Sequence, residues 1–429
     1  MSSAAMTWFW QAWLAAVVFV FPIPHTIALR NLLLLTGLLA LLATLRGAAR
    51  LKLPATLKPA AWGLVATTAW LALQSVAVAP APTVALDNLR GDWIVPLLTA
   101  ALAAWAAARI EPRLAIRAVV AALLAHMLWM FGWQLWAWFV SGIPGSWPTR
   151  DGSVPFGNVD FQSSLNGFLF ALVLAERVST KAIGAVAAPY VARTGWAALA
   201  VSLIADAALR TRNGTIVNVG LLLAATVWVA RRQPRFLLLL LVVVASLGGA
   251  SLTLDSRWNG LRESTTVGWN SSSSYWLTGD QTTRPLTPSG ADIEESAYLR
   301  SAWAHQAVLA IGEHPLGLGF GRDGFGRAVA EKYGVRGMVS SHSGWLDFAL
   351  GAGLPGLALL LVTAGLAMRG GWRQFRREGD AAGLMLCFLV GSYLLRCLLD
   401  GHFSGWRLGL FAFLCGVLVA AMKTPPRQT

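Results

Sequence analysis

The sequence predicts an all-α integral membrane protein with about twelve transmembrane helices and one large external insertion. Two observations predict this class. Of 429 residues, 56% are hydrophobic and only 13% charged, more apolar material than a water-soluble globule can house. That material is also gathered into runs close to the roughly 20 residues a helix needs to cross a bilayer.

The runs centre near residues 16, 36, 69, 100, 127, 169, 202, 222, 244, 356, 389 and 415. The sixth and seventh are the weakest, because the stretch 176–193 leaves their boundary ambiguous. Residues 1–253 would carry helices one to nine, 254–342 the insertion and 343–429 the last three, all as one membrane domain. The first apolar stretch has neither a basic leader nor a small-residue cleavage site, so no cleavable signal is expected. No repeat period stands out.

Lys and Arg set the orientation. With both ends inside, the short inside loops hold 19 basic residues, and eight of the 15 outside lie in the long insertion, which the positive-inside bias does not count. Both termini are therefore expected in the cytoplasm. The net charge of +14 is accounted for by this bias and by anionic headgroups. Because the basic residues are scattered between spans, nucleic acid is not an expected partner and membrane lipids are. Cys387, Cys397 and Cys415 all fall in the last two helices, which is no disulfide framework.

Within the insertion, residues 269–291 are rich in Ser, Thr and Pro and read as disordered. Residues 293–311 then show apolar positions at helical spacing, among them Ala297, Ala302, Trp303 and Ala307. Such a helix either lies along the outer bilayer surface or packs on the bundle. The 21 tryptophans fit an interfacial belt, with sugar stacking as the second reading.

Six histidines are present, and none is spaced as a metal pair such as His-x-x-x-His. The acidic run 292–295 reads as a solvated helix N-terminus. No metal or other cofactor is expected. Arginine at outer helix ends is more informative, because a planar guanidinium matches phosphate oxygens. Arg210 and Arg212 lie at one such boundary, and Arg90, Arg300, Arg396 and Arg407 are placed near the same face. Arg90, Arg396 and Arg407 read as snorkelling to lipid or pairing with Asp400.

Three segments resemble the O-antigen ligase and O-antigen polymerase superfamily of bacterial membrane glycosyltransferases. Thr211-Arg212-Asn213-Gly214 is similar to its Ser/Thr-Arg-x-Gly segment. Arg300, followed by a helix and then Pro315-Leu316-Gly317-Leu318-Gly319, resembles its Arg…Pro-Leu-x-Gly-x-Gly block. Ser341-His342-Ser343-Gly344-Trp345-Leu346, then Gly353 to Gly356, resembles its His-Asn/Ser-x-x-Leu…Gly-x-x-Gly signature, with Ser343 where Asn is common. The likeness covers about residues 200–360.

The resemblance implies a GT-C-like multi-helix fold in the bacterial inner membrane, with a periplasmic active site that works without metal and inverts the sugar's configuration. The implied donor is a glycan on undecaprenyl diphosphate, and the implied acceptor a sugar hydroxyl of lipid A–core. It casts His342 as catalytic, and Arg212, Arg300 and Arg210 as diphosphate ligands, with Arg90 and His314 as secondary candidates. The glycine turn 317–321 reads first as a simple loop and second as a headgroup contact. An O-antigen polymerase, a protein O-oligosaccharyltransferase and a lipid or sugar transporter stay open. The polymerase spacing Arg-x10-Gly occurs once, from Arg257 to Gly268, as often as chance allows with 42 glycines.

Overall fold

The computed structural model describes residues 3–43, 53–141, 159–183, 194–208, 211–230, 238, 241–242, 244–246, 249, 258, 260–401 and 403–422. Among them every regular element is a helix, apart from an isolated bridge between Leu286 and Asp292. The first part of the chain forms α1 (Ser3–Val20), α2 (Ile27–Ala43), α3 (Lys58–Ala77), α4 (Pro82–Leu89) and α5 (Val95–Ala107). It continues with α6 (Pro112–Ser141), α7 (Val159–Ile183), α8 (Thr194–Ala208) and α9 (Arg212–Ala230). The insertion holds α10 (Leu261–Trp269), α11 (Tyr275–Thr278), α12 (Glu295–Glu313) and α13 (Gly324–Tyr333). The chain then returns through α14 (Gly344–Glu378), α15 (Ala381–Leu399) and α16 (Gly405–Ala421).

Leu- and Ala-rich composition favours these helices. Pro59, Pro82 and Pro96 each sit in the first two positions of a helix, where the missing N–H leaves no bond unmade. Four helical stretches are long and apolar enough to cross a membrane: Ala55–Ala77, Pro112–Trp136, Gly344–Glu378 and Ala381–Leu399. Ala4–Val20, Ile27–Ala43, Thr194–Ala205 and Gly405–Ala421 are apolar but shorter. A described helix covers each expected span centre except the ninth, near residue 244, which falls largely outside the described residues. The described residues are thus helical throughout their regular structure, with apolar helices suited to an integral membrane protein. Twelve full crossings are more than helix length alone supports.

The side chains turned outward agree with lipid as solvent. Leu32, Leu35, Leu38, Leu39 and Leu42 of α2 are all exposed, as are Trp62, Val65 and Val76 of α3. Inside the bundle α5 packs on α16, α14 on both α3 and α15, and α7 on α15. Small residues bring backbones together, as hydrocarbon requires in place of a hydrophobic driving force. A side chain added at Gly371 of α14 or Gly383 of α15 would strike the other's carbonyl.

One break shapes the end of the bundle that carries the insertion. Gly353 leaves helical geometry inside α14 (φ 75°, ψ 169°), two residues before Pro355. The break parts Leu354 N from Leu350 O, its partner one helical turn back, and the loop 315–319 takes up both groups. Leu318 N donates to Leu350 O at 2.7 Å, and Leu354 N to Pro315 O at 2.8 Å. Gly317 (φ 84°) lies against the Gly351–Gly353 backbone, where a Cβ would come within 2.5 Å of Gly353 N. The two glycine motifs are therefore two halves of one backbone contact.

The tract 269–291 departs from expectation, being ordered. Tyr275 and Trp276 are buried, and Tyr275 packs on Tyr298 of α12. Its hydroxyls are spent on turns, as in Ser273 Oγ to Thr283 O and Thr287 Oγ1 to Ala291 O. Polar composition here reports turn chemistry. The helix expected at 293–311 is α12, and it packs on α10 and α14 through Ala297, Ala302 and Ala307. It belongs to the bundle and is not a free surface helix.

Candidate functional site

A cavity of about 390 Å³ opens where the insertion meets the helix bundle. Five elements build its walls. The first turn of α7 gives Asp160, the start of α9 gives Thr211, Arg212 and Asn213, and the turn before α14 gives Ser341, His342 and Ser343. From α10 come Leu261, Thr265 and Trp269, and from α12 come Ser296, Arg300 and Ser301; Leu398 and Leu399 of α15 close the floor. Residues distant in sequence thus meet: Asn213 Nδ2 bonds Leu399 O and Asp400 Oδ1, 186 and 187 positions away.

His342 sits in a strained turn, with φ of 60° in the region glycine favours. The turn is held from α14. Asp347 Oδ1 accepts from Ser341 N at 2.8 Å, and Asp347 Oδ2 accepts from Ser340 Oγ at 2.6 Å. Ser340 Oγ in turn accepts from His342 N at 2.9 Å. The imidazole lies on the indole of Trp303, ring centroids 5.1 Å apart. Its surface is open to the cavity, while the surrounding protein displaces enough water to lower its pKa. Burial is the largest cause, the charge of Arg300 adds to it, and Asp400 and Asp160 oppose it. The ring is therefore held neutral near pH 7, the form that accepts a proton.

The two arginines are fixed by carboxylates. Arg212 Nη2 donates to Glu294 Oε1 at 3.1 Å, both side chains being largely buried. Glu294 also caps α12, its Oε2 accepting from Ala297 N at 2.7 Å. Arg300 Nη1 donates to Leu399 O at 3.0 Å and lies 3.4 Å from Asp400 Oδ1. Asp400 is the hub behind the cavity. Its Oδ1 accepts from Asn213 at 2.9 Å, and its Oδ2 pairs with Arg396 Nε at 2.8 Å. Arg396 reaches on to Ser163 Oγ of α7 at 2.7 Å.

Of the expected site residues, His342, Arg212 and Arg300 share this cavity. Arg210 lies outside the described residues. The secondary candidates do not join them. Arg90 is exposed at the end of α4, paired with Asp87 at 3.2 Å. His314 caps the far end of α12 and faces Glu331 at 3.7 Å. The acidic run 292–295 is a helix N-terminus, but Glu294 is not solvated, because it is the partner of Arg212. Sequence reasoning missed that pairing, along with Asp160, Trp303 and the hub role of Asp400. Only Asp400 carried a signal, four residues after Arg396 on a helix end. Among the described residues no group of three or more His, Cys, Asp or Glu side chains is placed to hold a metal ion.

The cavity can hold an anionic group beside a neutral base. Two guanidinium groups line it, and its imidazole is presented on a turn held by Asp347. Residues 193–361 match the family described as O-antigen ligase, a segment that includes Arg212, Arg300, His342 and both glycine motifs. No curated protein matches the chain.

Proposed function

Since residues 193–361 belong to the O-antigen ligase and polymerase superfamily, we propose that this membrane enzyme is an O-antigen ligase. In this reading it moves a glycan from undecaprenyl diphosphate to a sugar hydroxyl of lipid A–core, at the periplasmic face of the inner membrane. The observation that carries the proposal is the shared cavity of Arg212, Arg300 and His342.

The chemistry follows from those three side chains. Neutral His342 takes the proton of the acceptor hydroxyl, and the oxygen attacks the anomeric carbon opposite the diphosphate. The carbon–oxygen bond to phosphate breaks, its electron pair leaves with the diphosphate, and the anomeric configuration inverts. Arg212 and Arg300 stabilise the charge that develops there, a role for preorganised donors in a site shielded from water. Glu294 and Asp400 hold the guanidinium groups in place before the donor arrives. A diphosphate, more charged than a carboxylate, competes with them for the same N–H donors.

The test offers purified protein one lipid-linked donor and three acceptors side by side: lipid A–core, a second lipid-linked glycan and a protein. Glycan appearing on lipid A–core, with undecaprenyl diphosphate released, supports the ligase. Transfer to the second lipid-linked glycan alone would make the protein a polymerase, and donor left uncleaved with every acceptor would remove the transferase reading.

A further inference from the structure

Several tryptophans of this chain stand on the outside of the bundle, as Trp8 and Trp62 do at 73% and 72% exposure. Trp258 and Trp269 instead line the cavity that holds the arginines and His342. Leu261, Thr265 and Trp269 fall at positions i, i+4 and i+8 of α10, so they form one stripe along the cavity wall. The stripe is about 12 Å long at 1.5 Å per residue, and Trp258 stands just beyond its first turn.

Both indoles are held in place. The Trp258 ring lies 5.9 Å from the guanidinium carbon of Arg212. Trp269 stacks on His305 of α12, with centroids 4.9 Å apart and planes 25° from parallel, yet 43% of the residue stays exposed. An aromatic ring backed on one side and open on the other, inside a cavity shared with two arginines and an imidazole, is poorly explained as a membrane anchor. An anchor needs contact with headgroups outside the bundle.

We infer that Trp258 and Trp269 form a carbohydrate-stacking wall that binds pyranose rings of the glycan along α10, starting beside the diphosphate site. The inference rests on the donor reading above and extends it to the sugar. A pyranose offers a flat face of C–H groups to an indole and polar edges elsewhere. Trp258, next to Arg212, meets the sugar joined to the phosphate, and Trp269 meets one further along. Flat faces of this kind recognise ring shape and tolerate a range of hydroxyl patterns, so the wall selects for a pyranose chain and against a bare lipid phosphate.

The test measures binding of two probes to the full-length protein in detergent. One is undecaprenyl diphosphate, and the other is the same lipid carrying a short pyranose oligosaccharide. Wild type is expected to hold the sugar-bearing lipid at least about tenfold more tightly, in line with the worth of an aromatic contact. Trp269→Leu, apolar but not flat, should erase most of that preference, whereas Trp269→Phe should keep most of it; Trp258→Leu should act as Trp269→Leu does. A preference absent from wild type, or one that Leu and Phe preserve equally, overturns the stacking wall while binding of the bare diphosphate stands. If wild type binds neither probe, the donor reading fails and takes this inference with it.

Discussion

The imidazole of His342 lies nearly flat on the indole of Trp303, with planes 17° apart and centroids at 5.1 Å. Trp303 is itself tied down, its Nε1 donating to Trp276 O at 3.0 Å. An imidazole mounted this way has its ring plane fixed by stacking and its backbone fixed by Asp347 through Ser340 and Ser341. Trp303→Leu should therefore lower kcat by about tenfold to a hundredfold, the range expected when a reacting group is misplaced. Trp303→Phe should retain most activity. Steady-state kinetics of both variants check this, and equal behaviour would remove the stack from the mechanism.

The pH profile has a definite sign. Burial and the charge of Arg300 hold the pKa of His342 below the ordinary imidazole value, which is about 6.5. The proton-accepting form is present above the lowered pKa and is lost as pH falls through it. The acid limb of kcat/KM should accordingly lie below about 6.5. Arg300→Gln removes a neighbouring positive charge, so in the residual activity the limb should move up toward neutral. A limb that moves down, or stays fixed, would mean that another group titrates.

The arginines are expected to separate by place. Arg212→Ala and Arg300→Ala each remove a guanidinium from the cavity and should reduce kcat/KM for the lipid-linked donor by about a hundredfold or more, as loss of a preorganised charge partner does. Arg90→Ala removes an exposed residue paired with Asp87 outside the cavity and should change it less than about threefold, the scale of an exposed ion pair. Equal losses across the three would displace the diphosphate site from this cavity.

Asp400 is expected to matter for stability as well as for arrangement. Its pair with Arg396 is buried, at 8% and 6% side-chain exposure. Removing one partner of such a pair leaves a buried charge uncompensated and costs about 3–5 kcal/mol. Asp400→Ala should lower the unfolding midpoint in detergent markedly. The double change Arg396→Met with Asp400→Leu should recover part of the loss, because it no longer strands the Arg396 charge, although Arg300 and Asn213 still lose their partner. Thermal unfolding of the three proteins decides the matter.

Much of the architecture was legible in the sequence for a simple reason: lipid demands long apolar helices, and these are visible residue by residue. The helices around residues 69, 127, 356 and 389 follow from composition alone. Turn chemistry misled, and Tyr275 and Trp276 show why. Two buried aromatics order a tract whose Ser and Thr content mimics disorder. The three central side chains were found through motifs, while their partners were not. Glu294 and Asp400 lie 82 and 100 positions from the arginines they hold, and Trp303 looked like any other interfacial tryptophan. Such pairings depend on how helices pack, which the spacing of single residues does not encode. The glycines were noticed as a loop, but their reason was invisible until Gly317 met the break at Gly353.

The central claim is that His342 acts as the base in a cavity where Arg212 and Arg300 hold the leaving diphosphate. Its most direct test is single-turnover release of undecaprenyl diphosphate from a lipid-linked donor in the presence of lipid A–core, comparing wild type with His342→Ala at equal folded protein. The account predicts release by wild type together with ligated product, and a fall of at least about a hundredfold in the variant, in keeping with loss of general-base catalysis. Release at the wild-type rate by His342→Ala would contradict it.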